Sequence, residues 1–452
     1  MKKLFYAVIF AGVVFVLIPL LGNKVVSDDL DNRIEVLTSY GVEVNKKSSD
    51  SSYFKTKKHY EFLVKDTKSF LKYLEQFSDA QLPPYTEAML MGVVVGVDIE
   101  YSNFGFDDEI GVDIYPLSLS DEVMANMQKE DLSFAKYIES FLQSKGILYH
   151  INYSVVSTDF DGYIKDVNEK YTFKNGSEAK LKISSAKFNG NGPIIAPTLL
   201  STNIKQVDFS ASSGKEVFSL KLENFTTTSN FDSKSTYATT MKLKNLKWNI
   251  DGTRNSDVVL GIDNIVMDFS SNTQGQKAEF YAKSSFDKLD IKNSISSFEA
   301  KNFNYDLALR GVDKQVLEDL RVLISHAKVQ TVQSYEMQNK INKKSMQLIL
   351  KGLNLDVADL SLGKFSLENK KDIDGFKVKA SVEVKNSTKF SFKNIALDST
   401  ITLSKEMMGI IYKESGNLAN MLKQYAKEDG KNVVFVVRFV NSEFSVNGKT
   451  IK

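Results

Sequence analysis

At 452 residues the chain is too long for one hydrophobic core, so two or three packed units are expected. Its 58 Lys+Arg against 56 Asp+Glu leave a net charge of +2, which excludes the broad cationic surface of a nucleic-acid binder. Without Cys there is no disulfide, thiolate metal site or catalytic cysteine, and three histidines far apart in sequence (His59, His150 and His326) argue against a zinc enzyme.

Met1-Lys2-Lys3 opens the chain, and an uncharged run follows from Leu4 to Gly22. Its apolar side chains are Leu4, Phe5, Val8, Ile9, Phe10, Val13, Val14, Phe15, Val16, Leu17, Ile18, Leu20 and Leu21. As a helix this run is roughly 28 Å long, enough to cross a bilayer. The lysines before it and Asp28, Asp29 and Asp31 after it keep the amino terminus cytoplasmic and export the rest. The alternative is a cleaved signal peptide, for which Leu20-Leu21-Gly22 offers only one small residue.

Four segments are expected: an anchor at 1–23, a membrane-proximal α/β module at 24–150, a repetitive sheet at 151–310 and a C-terminal α/β module at 311–452. In the second, Phe70, Tyr73, Leu74 and Phe77 mark one helical face, and Asp121 to Ser144 reads as a second helix. Ala88–Tyr101 and Ile110–Leu117 read as strands between them. Lys46, Lys47, Lys55, Lys57 and Lys58 surround Tyr53 and Phe54, a pattern of either headgroup contact or a solubilising loop.

The third segment carries turn signals and almost no helical pattern. Apolar residues alternate, skip one beat at a polar residue and resume on the opposite parity. Met241, Leu243, Asn245, Leu246, Trp248, Ile250 is one copy; Leu260, Ile262, Asn264, Ile265, Met267, Phe269 another; Phe298, Ala300, Asn302, Phe303, Tyr305, Leu307 a third. Weaker copies centre on Gln206, Asn224 and Asn394, and the centres from 206 to 302 lie about 19 residues, or twice that, apart. A β-bulge at each centre would return every apolar residue to one face. The expected fold is therefore α+β and mostly β: a long, curved antiparallel sheet of bulged strands, with a few amphipathic helices packed on it. Its candidate apolar face is Leu243, Leu246, Trp248, Ile250, Ile262, Ile265, Met267, Phe269, Phe303 and Tyr305. The last segment opens with one amphipathic helix from Asp313 towards Ile341, later a helix from its Ser404 cap to a stop at Gly430, and a closing strand pair.

No catalytic constellation emerges. Asp159-Phe160-Asp161-Gly162 lacks the later ligands of a calcium loop, Asp107-Asp108-Glu109 lies in a glycine-flanked loop, and Ser213-Gly214-Lys215 is a turn. Met407, Met408 and Met421 read as core packing. Neither a cofactor nor a metal site is expected.

The passages Leu348-Ile349-Leu350-Lys351-Gly352 into Leu355–Phe365, Phe303–Leu307 through Asp313, and Phe444-Ser445-Val446-Asn447-Gly448, with the Met-Lys-Lys anchor, resemble the YdgA-like family of bacterial proteins. That resemblance implies a single-pass inner-membrane protein of a Gram-negative bacterium with its bulk in the periplasm, and supplies no catalytic residues. The expected function is non-enzymatic: binding of apolar ligand, such as lipid acyl chains, in the sheet groove. The alternative is a structural or assembly factor acting through an envelope protein partner or a homodimer; an exported hydrolase is a third reading.

Overall fold

The computed structural model describes residues 28–75, 86–103, 109–193, 196–214, 216–233, 235–252, 257–329, 335–368, 371–414 and 422–451, without the side chains of 28–33, 75, 325–329 and 414. The apolar run from Leu4 to Leu21 lies outside them. Among the described residues no helix is long and apolar enough to cross a membrane. The chain forms two compact units, 1–234 and 235–452, and every described strand pair is antiparallel.

In the first unit a helix, α1 (Asp28–Ser39), leads into β1 (Val42–Ser51), β2 (Lys55–Val64), β3 (Val94–Ser102), β4 (Glu109–Ser118), β5 (Tyr149–Ser154) and β6 (Asp159–Ile164), each paired with the next. Four short helices interrupt this order: α2 (Thr67–Glu75), α3 (Thr86–Leu90), α4 (Asp121–Glu130) and α5 (Leu132–Gln143). Strand periodicity separates the two faces. Tyr60, Val97, Ile114 and Tyr149 are successive cross-strand partners and all buried, together with Phe70 of α2 and Phe134 of α5. The intervening row, His59, Asp98, Asp113 and His150, is only partly buried.

The single helix expected over 121–144 is two. Asp131 ends α4 in extended conformation, and its carboxylate accepts the Ser133 and Phe134 N–H groups that open α5. The strand expected from Ala88 begins at Val94, because α3 occupies Thr86–Leu90.

Beyond β6 come β7 (Val167–Thr172), β8 (Glu178–Asn191), β9 (Leu199–Ser213) and β10 (Glu216–Ser233). β8 serves β7 along residues 178–183 and β6 along 186–191. Ser185, between these halves, has φ 51°, and its N–H is taken by the Asp166 carboxylate at 2.8 Å.

The second unit is a ladder of β11 (Thr236–Asp251), β12 (Val258–Asn272), β13 (Lys277–Asn293), β14 (Ser297–Asp313), β15 (Leu353–Leu367), β16 (Ile373–Val384), β17 (Ile395–Ser404), β19 (Asn432–Val440), β20 (Glu443–Val446) and β21 (Lys449–Ile451), with β18 (Lys427–Asp429) also on β19. Between β14 and β15 the one expected helix is a pair, α6 (Lys314–Val329) and α7 (Tyr335–Leu350). Ser404 caps α8 (Lys405–Glu414) as expected, accepting the Met407 N–H at 3.0 Å, but the helix does not run to Gly430, since Lys427–Asp429 pair as β18 on β19. Met408 of α8 packs with Val433, Phe435 and Val446. The weak repeat at Asn394 is not a bulged strand, since Phe392–Asn394 form a 3-10 turn ahead of β17.

Candidate functional site

The skipped beat in the repeats is a matched break in neighbouring strands, not the one-sided bulge expected. A bulge would slip the register by one, yet Leu243 faces Ile265 and Leu246 faces Ile262 in a single continuous register. The pair that drops out is Lys244 with Asn264, so the break in β11 precedes Asn245. Asn264, Asn302 and Asn224 have φ of 54°, 54° and 51°, the left-handed region that Asn tolerates better than other side chains. Asn264 Nδ2 donates to Asp287 at 2.7 Å and Asn245 Nδ2 donates to Asp263. Because both strands break at one level, their register is conserved across it.

Apolar partners face each other on both sides of this break. One cross-strand row runs Trp248, Leu260, Ile291, Phe298, Leu367, and the next Leu246, Ile262, Leu289, Ala300, Phe365, Ile373. On the other side, Met241, Met267, Ser284, Tyr305, Leu360, Val378, Ile401 and Phe435 form a row, and Phe286 stacks on Phe303 at 5.0 Å. The same pairing recurs in the first unit, where Leu181 faces Phe209 and Phe209 faces Leu220.

Burial along these rows is shallow. Of the ten candidate face residues, only Leu243 and Ile265 are buried, each 9% exposed; Trp248 is 36% exposed, and Leu246, Ile250, Ile262, Met267, Phe269, Phe303 and Tyr305 are half-buried. Among the described residues, the two buried apolar clusters lie around β1–β6 with Phe188, and around α8 with β19 and β20, where the last row ends at Ile401 and Phe435. Large apolar side chains thus line up across β11–β16 without the depth of burial that a closed core gives.

A second feature was not legible in the sequence. On the outer side of β1–β5 lies a groove of about 590 Å³ holding both His59 and His150. His59 Nδ1 is 2.7 Å from Asp98 Oδ1, and His150 Nδ1 is 2.7 Å from Asp113 Oδ1; the two aspartates are cross-strand neighbours. Asp98 also accepts from Lys145 at 2.5 Å and from the Tyr115 hydroxyl at 3.0 Å, and the Lys145 ammonium lies 4.2 Å from the centre of the Tyr115 ring. Burial raises the Asp98 carboxyl, but hydrogen bonds from Lys145, His59 and Tyr115 outweigh it and hold its pKa below the ordinary aspartate value. Burial, then the Asp98 charge, push the Tyr115 phenol upward. Gly111 forms part of the lining, and a Cβ there would meet nothing closer than 3.8 Å.

The Nε2 edges of the histidines face Glu61 Oε1 at 3.3 Å and Asn152 Oδ1 at 3.0 Å, so neither imidazole is aimed at a nucleophile. Among the described residues no group of three or more His, Asp or Glu is arranged to hold a metal ion. Strand pairing brings together residues 91 positions apart, and no local spacing announces that. The side chain of His326 lies outside the described set.

The cationic cluster at 46–58 is largely paired: Lys46 with Glu61, and Lys55 and Lys57 with Glu100. Tyr53 and Phe54 are 77% and 66% exposed at the β1–β2 turn. Asp159–Gly162 lie within β6. Asp107 and Asp108, Lys215 and Met421 lie outside the described residues. No family model, curated protein or solved structure matches the chain.

Proposed function

We propose that the chain is a non-enzymatic protein of the bacterial envelope that holds apolar ligand, such as the acyl chains of lipid, against the sheet of β11–β16. In this reading the apolar rows on both sides of the break share one face, and the run from Leu4 to Leu21 anchors the protein in the inner membrane with its bulk in the periplasm. Membership of the YdgA-like family belongs to the same proposal. The observation that carries it is the shallow burial of the paired apolar rows: Trp248, Leu246, Ile262 and Phe303 meet apolar partners laterally and stay half-accessible. An acyl chain laid on such rows exchanges water for side-chain contact at about 25 cal/mol per Å² of apolar area removed.

The test is lipid extraction of the protein purified from cells, with mass spectrometry, and titration of the delipidated protein with a fluorescent fatty acid. Co-purified lipid and saturable binding that Leu246→Lys abolishes are expected. A lipid-free preparation that binds no fatty acid overturns the reading.

The alternative, an assembly factor, is supported by exposed aromatics in the second unit. Phe390 and Phe392 are 47% and 61% exposed and in ring contact, and Phe392 touches Phe439. Cross-linking in intact cells distinguishes the two, because a reproducible protein partner lost on Phe392→Ser is expected only of the alternative.

A further inference from the structure

The helix pair α6–α7 is attached to the sheet at one end. Val316 is buried at 4% exposure beside Val312, Asp313 accepts the Val316 N–H at 3.2 Å, and Lys314 Nζ reaches the Thr273 carbonyl at 2.8 Å. Farther out the helices hold each other, with Lys344 Nζ 2.7 Å from Asp319. Both helices have 16 residues, and no described side chain of α7 is buried. Amphipathic helices of this length are stabilised chiefly by burying their apolar stripe, and a lone pair covers each stripe on one side only.

The uncovered side is apolar, and the pair as a whole is cationic. Tyr335 and Met346, 84% and 41% exposed, are 11 positions apart and so fall on one line along α7; Val322 of α6 is 53% exposed. Residues 314–350 carry six Lys or Arg against three Asp or Glu, in a chain whose totals nearly cancel. The excess positive charge of this short piece is larger than that of the whole protein. Lys343, on the flank of the Tyr335–Met346 line, is exposed.

We propose that the α6–α7 pair is an interfacial membrane-binding element that recognises anionic phospholipid headgroups, seating Tyr335 and Met346 at the headgroup level with Lys343 beside them. Apolar residues on a cationic helix surface fit an anionic bilayer better than a protein surface of mixed charge, because insertion and counter-charge act together. The element is separate from the sheet rows of the proposed ligand site, so either reading can fail without the other.

The absence of native cysteine makes a single label unambiguous. The full chain carrying Met346→Cys with an environment-sensitive fluorophore is reconstituted into vesicles of phosphatidylcholine alone or mixed with phosphatidylglycerol; Ser49→Cys on β1 is the control. A blue shift and quenching by nitroxide-bearing lipid are expected at 346, only with phosphatidylglycerol, and reversed by salt. Lys343→Gln should weaken the response about five-fold at low ionic strength. The fluorescence of Trp248 checks that each variant is folded. An equal response in both vesicles, no response in either, or a response to added fatty acid without phosphatidylglycerol overturns the proposal.

Discussion

Replacing Asn264 separates what the break in β12 owes to backbone from what it owes to side chain. At φ 54° a β-branched residue carries left-handed strain of about 1–2 kcal/mol, which glycine does not. The hydrogen bond from Asn264 Nδ2 to Asp287, at 2.7 Å, adds about 1 kcal/mol, modest because the site is exposed. Asn264→Val should therefore cost about 2–3 kcal/mol and Asn264→Gly about 1 or less. In a unit of this size that corresponds to a fall in melting temperature of about 4–12 °C for Val and of at most about 4 °C for Gly. Deleting Asn264 should be worse than either, because one side of the break then turns its apolar residues over, Ile265, Met267 and Phe269 among them. Fluorescence of Trp248, the single tryptophan and a residue of the neighbouring strand, follows unfolding of this unit. Equal melting temperatures for the Val and Gly variants would refute the left-handed break as a determinant of the strand. A deletion as mild as the Gly variant would refute the claim that the break sets parity.

Asp98→Asn should destabilise the first unit at neutral pH. The native carboxyl lies below its unfolded value, so its contribution is present above the unfolded pKa and lost as pH falls through the folded one; the gap between variant and native melting should begin to close only as pH falls below the ordinary aspartate value of about 3.9. Gly162→Ala places a Cβ 2.3 Å from the His150 carbonyl and 2.4 Å from the Phe188 ring, and should cost about 1–3 kcal/mol in a denaturant titration because the carbonyl cannot move aside. Ser404→Ala removes the cap on Met407 N–H and the bond to the Asp374 carbonyl, and should lower stability by about 1–2 kcal/mol in the same assay.

The sequence by itself determined the strand-rich character of 151–310, the Ser404 cap, and the interruption of alternation near Asn245, Asn264 and Asn302, because each is a local pattern of side-chain type along one strand or turn. It misplaced the break in β11 by one residue and took it for a bulge, since register belongs to two strands at once and only pairing shows that both break at the same level. Asp131 divides a continuous apolar periodicity into two helices, because a side-chain cap can outcompete the hydrogen bonds of the next turn. Tertiary structure alone decided the groove: His59, Asp98, Asp113 and His150 sit on successive strands, and no distance along the chain encodes that row. It alone decided, too, that the apolar rows of the second unit stay half-open, since alternation states which side chains share a row but not what, if anything, packs above them.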